Sequence, residues 1–331
     1  MNTLKDAKDV IESDSLRLRG KSLLSIGDLN REQLFGLLRI TQAMEESHKA
    51  KIKLMEYGYP RSVALIFEKP SLRTRVTFEL GVRQLGGLAV VLGQSDINMG
   101  KRESIPDIAR NLGRWTEAIV ARVFDHNSLV GLAEYSGVPV INALSDVEHP
   151  CQILADLYTI IQKKGGLKDV RLAWMGDGNN VLHSILLAAG LSGMQVRAAC
   201  PKGYEPKQEV VAKARELAGE SSGADPAKSS IQIVTDPESA IDQADVVYTD
   251  VWTSMGWEEE REQRLKVFNP YQVNGKLMSL AKSDAIFLHC LPAHRGEEVT
   301  DEVMESAQSV VFDEAENRLH AQKAVMACLI N

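Results

Sequence analysis

Residues 62–81 read SVALIFEKPSLRTRVTFELG, and the change of pattern inside this stretch decides the fold. Ser62-Val63-Ala64-Leu65-Ile66-Phe67 is an unbroken apolar run with the length of a buried strand. Glu68-Lys69-Pro70 interrupts it, and beyond Arg73 the apolar positions recur at helical spacing. A strand turning directly into a helix is the repeating unit of layered α/β proteins. The turn carries Ser71-Leu72-Arg73-Thr74-Arg75, which packs two guanidinium groups and two hydroxyls into five residues. Amides in the first turn of a helix have no intrahelical partner and carry the positive end of the helix dipole. An anion placed there meets amide, hydroxyl and guanidinium donors together. The other reading of this segment alone is a solvated basic turn capped by Ser71.

Outward from this unit the alternation continues. Strand-like runs follow at Leu88 to Leu92, Ala118 to Arg122 and Val138 to Asn142, separated by helical stretches at Arg73 to Leu85, Ser104 to Arg114 and Leu129 to Tyr135. Ahead of them a helix is predicted from Asn30, whose spacing to Gln33 suits a capping box. A second series has strands at Val170 to Met175, Gln195 to Cys200, Ile231 to Thr235, Val246 to Thr249 and Ala285 to Leu288. Its helices are Val181 to Ala189, Lys207 to Ala218 and Glu314 to Leu329. The expected fold is α/β, with two doubly wound domains of mainly parallel sheet linked by interdomain helices. The boundary is placed at residue 148, giving domains 1–148 and 149–313. The helix over about 314–331 is expected to pack back on the first, and His149 to Gln162 to bridge the two. Glu220 to Ser230, rich in Ser, Gly and Ala, reads as a surface loop.

Composition agrees with this frame. A chain of 331 residues is long for one core, and its 44% apolar and 25% charged content is ordinary for a globular protein. No apolar run approaches the roughly 18 residues that span a bilayer. The polar, acidic start MNTLKDAKDVIESDS resembles neither a signal nor a transit peptide, so a cytoplasmic location and no membrane association are expected. Cys151, Cys200, Cys290 and Cys328 are scattered without C-x-x-C spacing, which argues for thiols over a disulfide framework or zinc site. A net charge of −7 argues against a nucleic-acid surface.

Chemistry-bearing residues recur where the predicted strands end, the position at which open α/β sheets place ligands. Arg122 closes one run, as a surface ion-pair partner or an anion donor. His149-Pro150-Cys151-Gln152 opens a helix, with an imidazole and a carboxamide three positions apart that can cap it or face one acceptor together. Gly176-Asp177-Gly178-Asn179-Asn180 follows a strand as a dinucleotide fingerprint would. The third glycine of that pattern falls at Val181, however, and the next strand ends in Cys200-Pro201 with no acidic residue to hold a ribose, so a nucleotide-dependent dehydrogenase is disfavoured. Asp250, four residues before Ser254-Met255-Gly256, suits a cationic amino group. His289-Cys290-Leu291-Pro292 ends the last strand. Its adjacent His and Cys point to opposite faces, which makes a shared metal improbable.

In this order, from Arg61 to Phe312-Asp313-Glu314-Ala315-Glu316-Asn317-Arg318, the motifs resemble the aspartate/ornithine carbamoyltransferase family, on its ornithine-using branch. Ser71 to Arg75 matches S-x-R-T-R, Arg122 the distal arginine, His149 to Gln152 H-P-x-Q, Asp250 to Gly256 the ornithine-specific D-x-x-x-S-M-G, His289 to Pro292 H-C-L-P, and Arg318 a late arginine. The resemblance implies transfer of a carbamoyl group from carbamoyl phosphate to the side-chain amine of L-ornithine, without metal or cofactor. It implies a carbamoyl-phosphate-binding first domain, with Ser71, Leu72, Arg73, Thr74, Asn98, Arg122, His149, Gln152, Cys290, Leu291 and Arg318 as contacts. The second domain would bind ornithine through Asn180, Asp250, Ser254 and Met255. Cys290, Arg122, His149 and Asp250 would be catalytic, Ser254-Met255-Gly256 a lid, and the assembly a homotrimer with Asn98 directed at a neighbouring subunit. At Asn98 the family commonly has Gln or His, and Leu72 stands where threonine is more familiar. Transfer to another amine, such as putrescine or an acylated ornithine, is the alternative within the family. It would call for a different Asp250 to Gly256 loop.

Overall fold

Strands that are apolar along their whole length are buried on both faces, which requires helices above and below a parallel sheet. The computed structural model, which describes residues 3–54, 59, 61–219, 229–253 and 260–330, has this arrangement twice. The chain divides into two units, one formed by residues 1–158 and 316–331, the other by 159–315.

In the first unit the elements run α1 (Thr3–Glu12), α2 (Arg31–Lys49), β1 (Ser62–Phe67), α3 (Leu72–Gln84), β2 (Leu88–Gly93), α4 (Gln94–Ile97), α5 (Ile105–Trp115), β3 (Ala118–Arg122), α6 (His126–Ser136) and β4 (Val140–Leu144). The strands form a parallel sheet in the order β2-β1-β3-β4. The chain therefore leaves β1 toward one edge and returns as β3 on the other side. The adjacent ends of β1 and β3 form a topological switch point, where Phe67 pairs with Arg122. Asn30 and Gln33 cap α2 reciprocally, as their spacing predicts. β4 begins two residues later than the expected Val138. Pro139 has no N–H to give a ladder, and its carbonyl accepts from Ile119. The core beside this sheet gathers Ala64, Ile66, Ile119 and Ala121 with Ile108, Leu112, Leu129 and Leu132 from α5 and α6.

Helix α7 (Pro150–Lys164) leads into β5 (Arg171–Met175), α8 (Asn180–Ser192), β6 (Gln195–Ala199), α9 (Gln208–Leu217), β7 (Ile231–Val234), α10 (Pro237–Ile241), β8 (Val246–Thr249), α11 (Arg261–Phe268), α12 (Gly275–Met278), β9 (Ile286–Leu288) and α13 (Asp301–Met304). This second sheet is parallel throughout, in the order β7-β6-β5-β8-β9, with its switch point between β5 and β8, where Met175 pairs with Thr249. Trp174 and Tyr248 stack at 5.4 Å beneath it. The last helix, α14 (Val311–Leu329), contributes residues from 316 onward to the first unit. The loop expected over Glu220 to Ser230 falls largely outside the described residues. Among the described residues no helix is long and apolar enough to cross a membrane.

Candidate active site

Both switch points carry the residues singled out by sequence. In the first unit Ser71 is the N-cap of α3, and its hydroxyl accepts from the Thr74 amide at 3.3 Å. The hydroxyl hydrogen is still available to donate. The Leu72 side chain is 74% exposed, so this position offers its amide alone. Arg75 is also exposed and pairs with Glu79 at 3.7 Å, which turns the second guanidinium of the motif away from the cradle. Thr74 is fully buried, and its Oγ1 accepts from Arg318 Nη2 of α14 at 2.8 Å.

The ends of β1 and β3 are tied to each other. The Glu68 amide donates to the Arg122 carbonyl at 2.9 Å, and Glu68 Oε2 accepts from the Phe124 amide at 2.8 Å. This fixes Arg122 against the turn that opens α3. His149 lies beyond β4 at the start of α7. Burial, and then the charges of Arg318, Arg122 and Arg73, hold its imidazole well below the ordinary histidine range, so the ring is neutral at pH 7. Three arginines separated widely in sequence thus act on one buried histidine. Gln152, one helical turn on, is buried and donates from Nε2 to Asp156 Oδ1 at 2.8 Å, so its carbonyl oxygen is the end suited to accept from an NH₂ group. The neighbouring Cys151 thiol is pushed up to about 12 by burial and donates to the Asn142 carbonyl at 3.4 Å, a structural part. Asn98 is the exposed C-cap of α4, in the left-handed region at φ 48°.

In the second unit Asp250 follows β8 directly and is buried. Its Oδ2 accepts from Asn179 Nδ2 at 2.8 Å and its Oδ1 from Cys290 Sγ at 3.1 Å. Asn179 is also the N-cap of α8, accepting from the Val181 and Leu182 amides. Asn180 is the first residue of that helix. Burial pushes the nearby Asp177 carboxyl up to about 6 against the opposing charge of Arg264, and the Asp250 charge adds to the rise. Arg264 pairs with Asp177 and also donates to the Trp252 carbonyl at 2.6 Å, which holds the chain just past Asp250. Ser254 and Met255, with the lid expected at Ser254-Met255-Gly256, lie outside the described residues.

Cys290 and Leu291 follow β9. Asp250, His289 and Cys290 place ligand-type atoms within 4.8 Å of one another. Both nitrogens of the His289 ring are engaged, however: Nδ1 accepts from the Leu291 amide at 2.9 Å and Nε2 faces Glu298 Oε1 at 3.1 Å. The set therefore fits a hydrogen-bonded network better than a metal.

Comparison with known proteins places the chain in a family. The family model described as "Aspartate/ornithine carbamoyltransferase, carbamoyl-P binding domain" matches residues 21–162, and "Aspartate/ornithine carbamoyltransferase, Asp/Orn binding domain" matches residues 168–329. The chain belongs to the aspartate/ornithine carbamoyltransferase family. Among relatives in this carbamoyltransferase family, the ornithine carbamoyltransferase of Archaeoglobus fulgidus is 49% identical over 94% of this chain and 97% of the relative. That of Thermococcus kodakarensis is also 49% identical, over 95% and 97%. Of solved carbamoyltransferase structures, the ornithine enzyme of Pyrococcus furiosus superposes with a TM-score of 0.89 at 47% identity, covering 95% of this chain and 98% of that one. Two features of the candidate site escape the sequence reading. Asn179, the partner of Asp250, is indistinguishable in sequence from Asn180 beside it. The embrace of Leu291 by the His289 ring depends on carboxylates placed by tertiary structure.

Proposed function

We propose that this protein transfers the carbamoyl group of carbamoyl phosphate to the side-chain amine of L-ornithine, giving L-citrulline and phosphate. The observation that carries this reading is the convergence of Arg73, Arg122 and Arg318 on neutral His149 beside the capped N-terminus of α3. That group of donors suits a doubly charged leaving group. Ser71, the Leu72 amide, Arg73, Thr74 and Arg318 hold the phosphate, while Arg122 and His149 donate to the carbonyl oxygen as charge develops there. The Gln152 carbonyl accepts from the carbamoyl NH₂.

The attacking amine must lose its proton, since its ordinary pKa lies near that of lysine, about 10.4. Asp250 and Cys290 take that part. Asn180, Ser254, Met255 and Leu291 complete the substrate contacts. The amine nitrogen bonds to the carbonyl carbon, the bond from that carbon to the bridging phosphate oxygen breaks, and the amine proton leaves toward Asp250. In this reading residues 1–148, with His149 and Gln152 at the start of α7 and Arg318 of α14, hold the carbamoyl donor, and the rest of 149–313 the acceptor.

We further infer a homotrimer, with Asn98 directed at a neighbouring subunit. Leu72, Val76 and Leu80 recur at i, i+4 and i+8 on the open face of α3, beside exposed Leu88 and Val90 of edge strand β2, an apolar surface of the kind that subunits cover. Four unbridged cysteines support a reducing, cytoplasmic setting. Citrulline formation should be compared with ornithine, putrescine, N-acetylornithine and aspartate as acceptors. Product with ornithine is expected, and product with aspartate alone would overturn the assignment. Sedimentation of an active monomer would overturn the trimer.

A further inference from the structure

We infer that His289, oriented by Glu298, is a positioning residue that fixes Cys290 for its work on the acceptor amine. This inference rests on the carbamoyl-transfer reading and adds a residue to that site. His289 is fully buried just past β9, and its ring bonds to Glu298 and to the Leu291 amide. Its backbone N–H donates to Glu314 Oε2 at 2.9 Å, and Glu314 Oε1 in turn accepts from Tyr248 at 3.1 Å. The chain is thus held one residue before Cys290. One residue after, the Leu291 amide donates to His289 Nδ1.

An amide can only donate, so Nδ1 carries no proton and Nε2 must carry it. That N–H faces Glu298 Oε1, which also accepts from the His294 amide at 2.5 Å. Glu298 is itself fully buried. The carboxylate therefore sets both the tautomer and the plane of the ring, and the ring sets the turn. Between these two anchors stands Cys290, whose thiol donates to Asp250 at 3.1 Å, and Leu291, held at φ 57°. A side chain other than glycine adopts that backbone region only when its surroundings hold it there. His289 is thus the support through which the thiol keeps its place against Asp250.

Asparagine and glutamine separate the two functions of the ring. His289→Asn places an oxygen near the position of Nδ1, able to accept from Leu291. His289→Gln places its amide near Nε2, able to reach Glu298 but not Leu291. The purified enzyme should be assayed for citrulline formation, with carbamoyl phosphate and ornithine varied separately. Iodoacetamide alkylation reports on the thiol, because Cys151, Cys200 and Cys328 are buried and Cys290 is not.

For His289→Gln the expected result is a loss in kcat of about 10- to 100-fold, as for other groups that orient reacting side chains. The KM for carbamoyl phosphate should stay within about threefold. Alkylation of Cys290 should be severalfold faster at fixed pH, because the thiol is released from Asp250. His289→Asn should recover most of the kcat and the slow alkylation, and Glu298→Gln should fall between. Equal kcat and equal alkylation for Asn and Gln variants would overturn the inference, leaving His289 as a volume-filling residue. Absence of citrulline from the unmutated enzyme would instead remove the transferase reading, and the alkylation contrast would still report on His289.

Discussion

The Arg318 guanidinium donates to the Thr74 hydroxyl at 2.8 Å, spanning 244 positions of sequence, and both side chains are buried. The contact completes the donor set at the start of α3. Arg318→Ala should raise the KM for carbamoyl phosphate by about 100-fold, the worth of a charge-assisted bond in a closed site. Saturation kinetics against that substrate checks this, and an unchanged KM would remove Arg318 from the cradle.

Arg122 is fixed by the Glu68 amide on its carbonyl, so its side chain acts from a rigid strand end. Arg122→Ala should cost on the order of 100- to 1,000-fold in citrulline formation, as loss of one oxyanion donor typically does. Full activity in the variant would refute its role at the carbonyl oxygen.

Asn179 both caps α8 and donates to Asp250, and two substitutions divide these roles. Asn179→Ala should lower stability by about 1 kcal/mol through the lost cap. Asn179→Asp keeps a capping oxygen but sets a second carboxylate against Asp250. It should therefore leave the urea midpoint near the parent value while raising the KM for ornithine at least tenfold. The idea fails if the aspartate variant binds ornithine as the parent does.

Gly178 passes so close to the following loop that a Cβ there would lie 2.2 Å from the Pro206 nitrogen and 2.3 Å from the Glu205 carbonyl carbon. Both are backbone atoms and neither can swing aside. Gly178→Ala should destabilise by about 1–3 kcal/mol or more, visible as a lowered denaturant midpoint.

His320 is fully buried on α14, and burial, with Lys323 and His48 adding to it against Glu45, pulls its imidazole down to about 3. The unfolded chain protonates near 6.5. Stability held by the neutral ring is complete above about pH 6.5 and is lost as pH falls from there toward 3, at no more than about 1.4 kcal/mol per pH unit. His149 has the same sign. Urea unfolding from pH 7 to 4 should be less steeply pH-dependent for His320→Gln. An identical slope would show that this imidazole does not contribute.

Much of the fold was legible because its signals are local. Ala118 to Arg122 and Val246 to Thr249 are strands to the residue, since fully buried parallel strands read as apolar runs with sharp ends. α4, α10, α12 and α13 escaped because helices of four or five residues have no period to detect and depend on single caps such as Asp236, Asn274 and Thr300. The positions of candidate residues were legible where they close or directly follow a strand, as Arg122 and Asp250 do. The roles of Arg75 and Asn179 were not, because which of two adjacent similar side chains faces inward depends on helix phase and on partners far along the chain.

The first unit is interrupted in sequence, because residues 316–331 join it only after the whole of 159–315 has been made. A ribosome releasing this chain from its N-terminus therefore presents α3 and its Ser71 cap long before Arg318 exists to meet Thr74. Closing that loop carries an entropy cost that grows slowly with length, so the delay lies in synthesis more than in the free energy of closure. A chain that stops short of α14 would hold the four-stranded sheet but lack the Arg318 partner of Thr74. In the proposed reading, the donor set at the start of α3 is therefore complete only once α14 has been made.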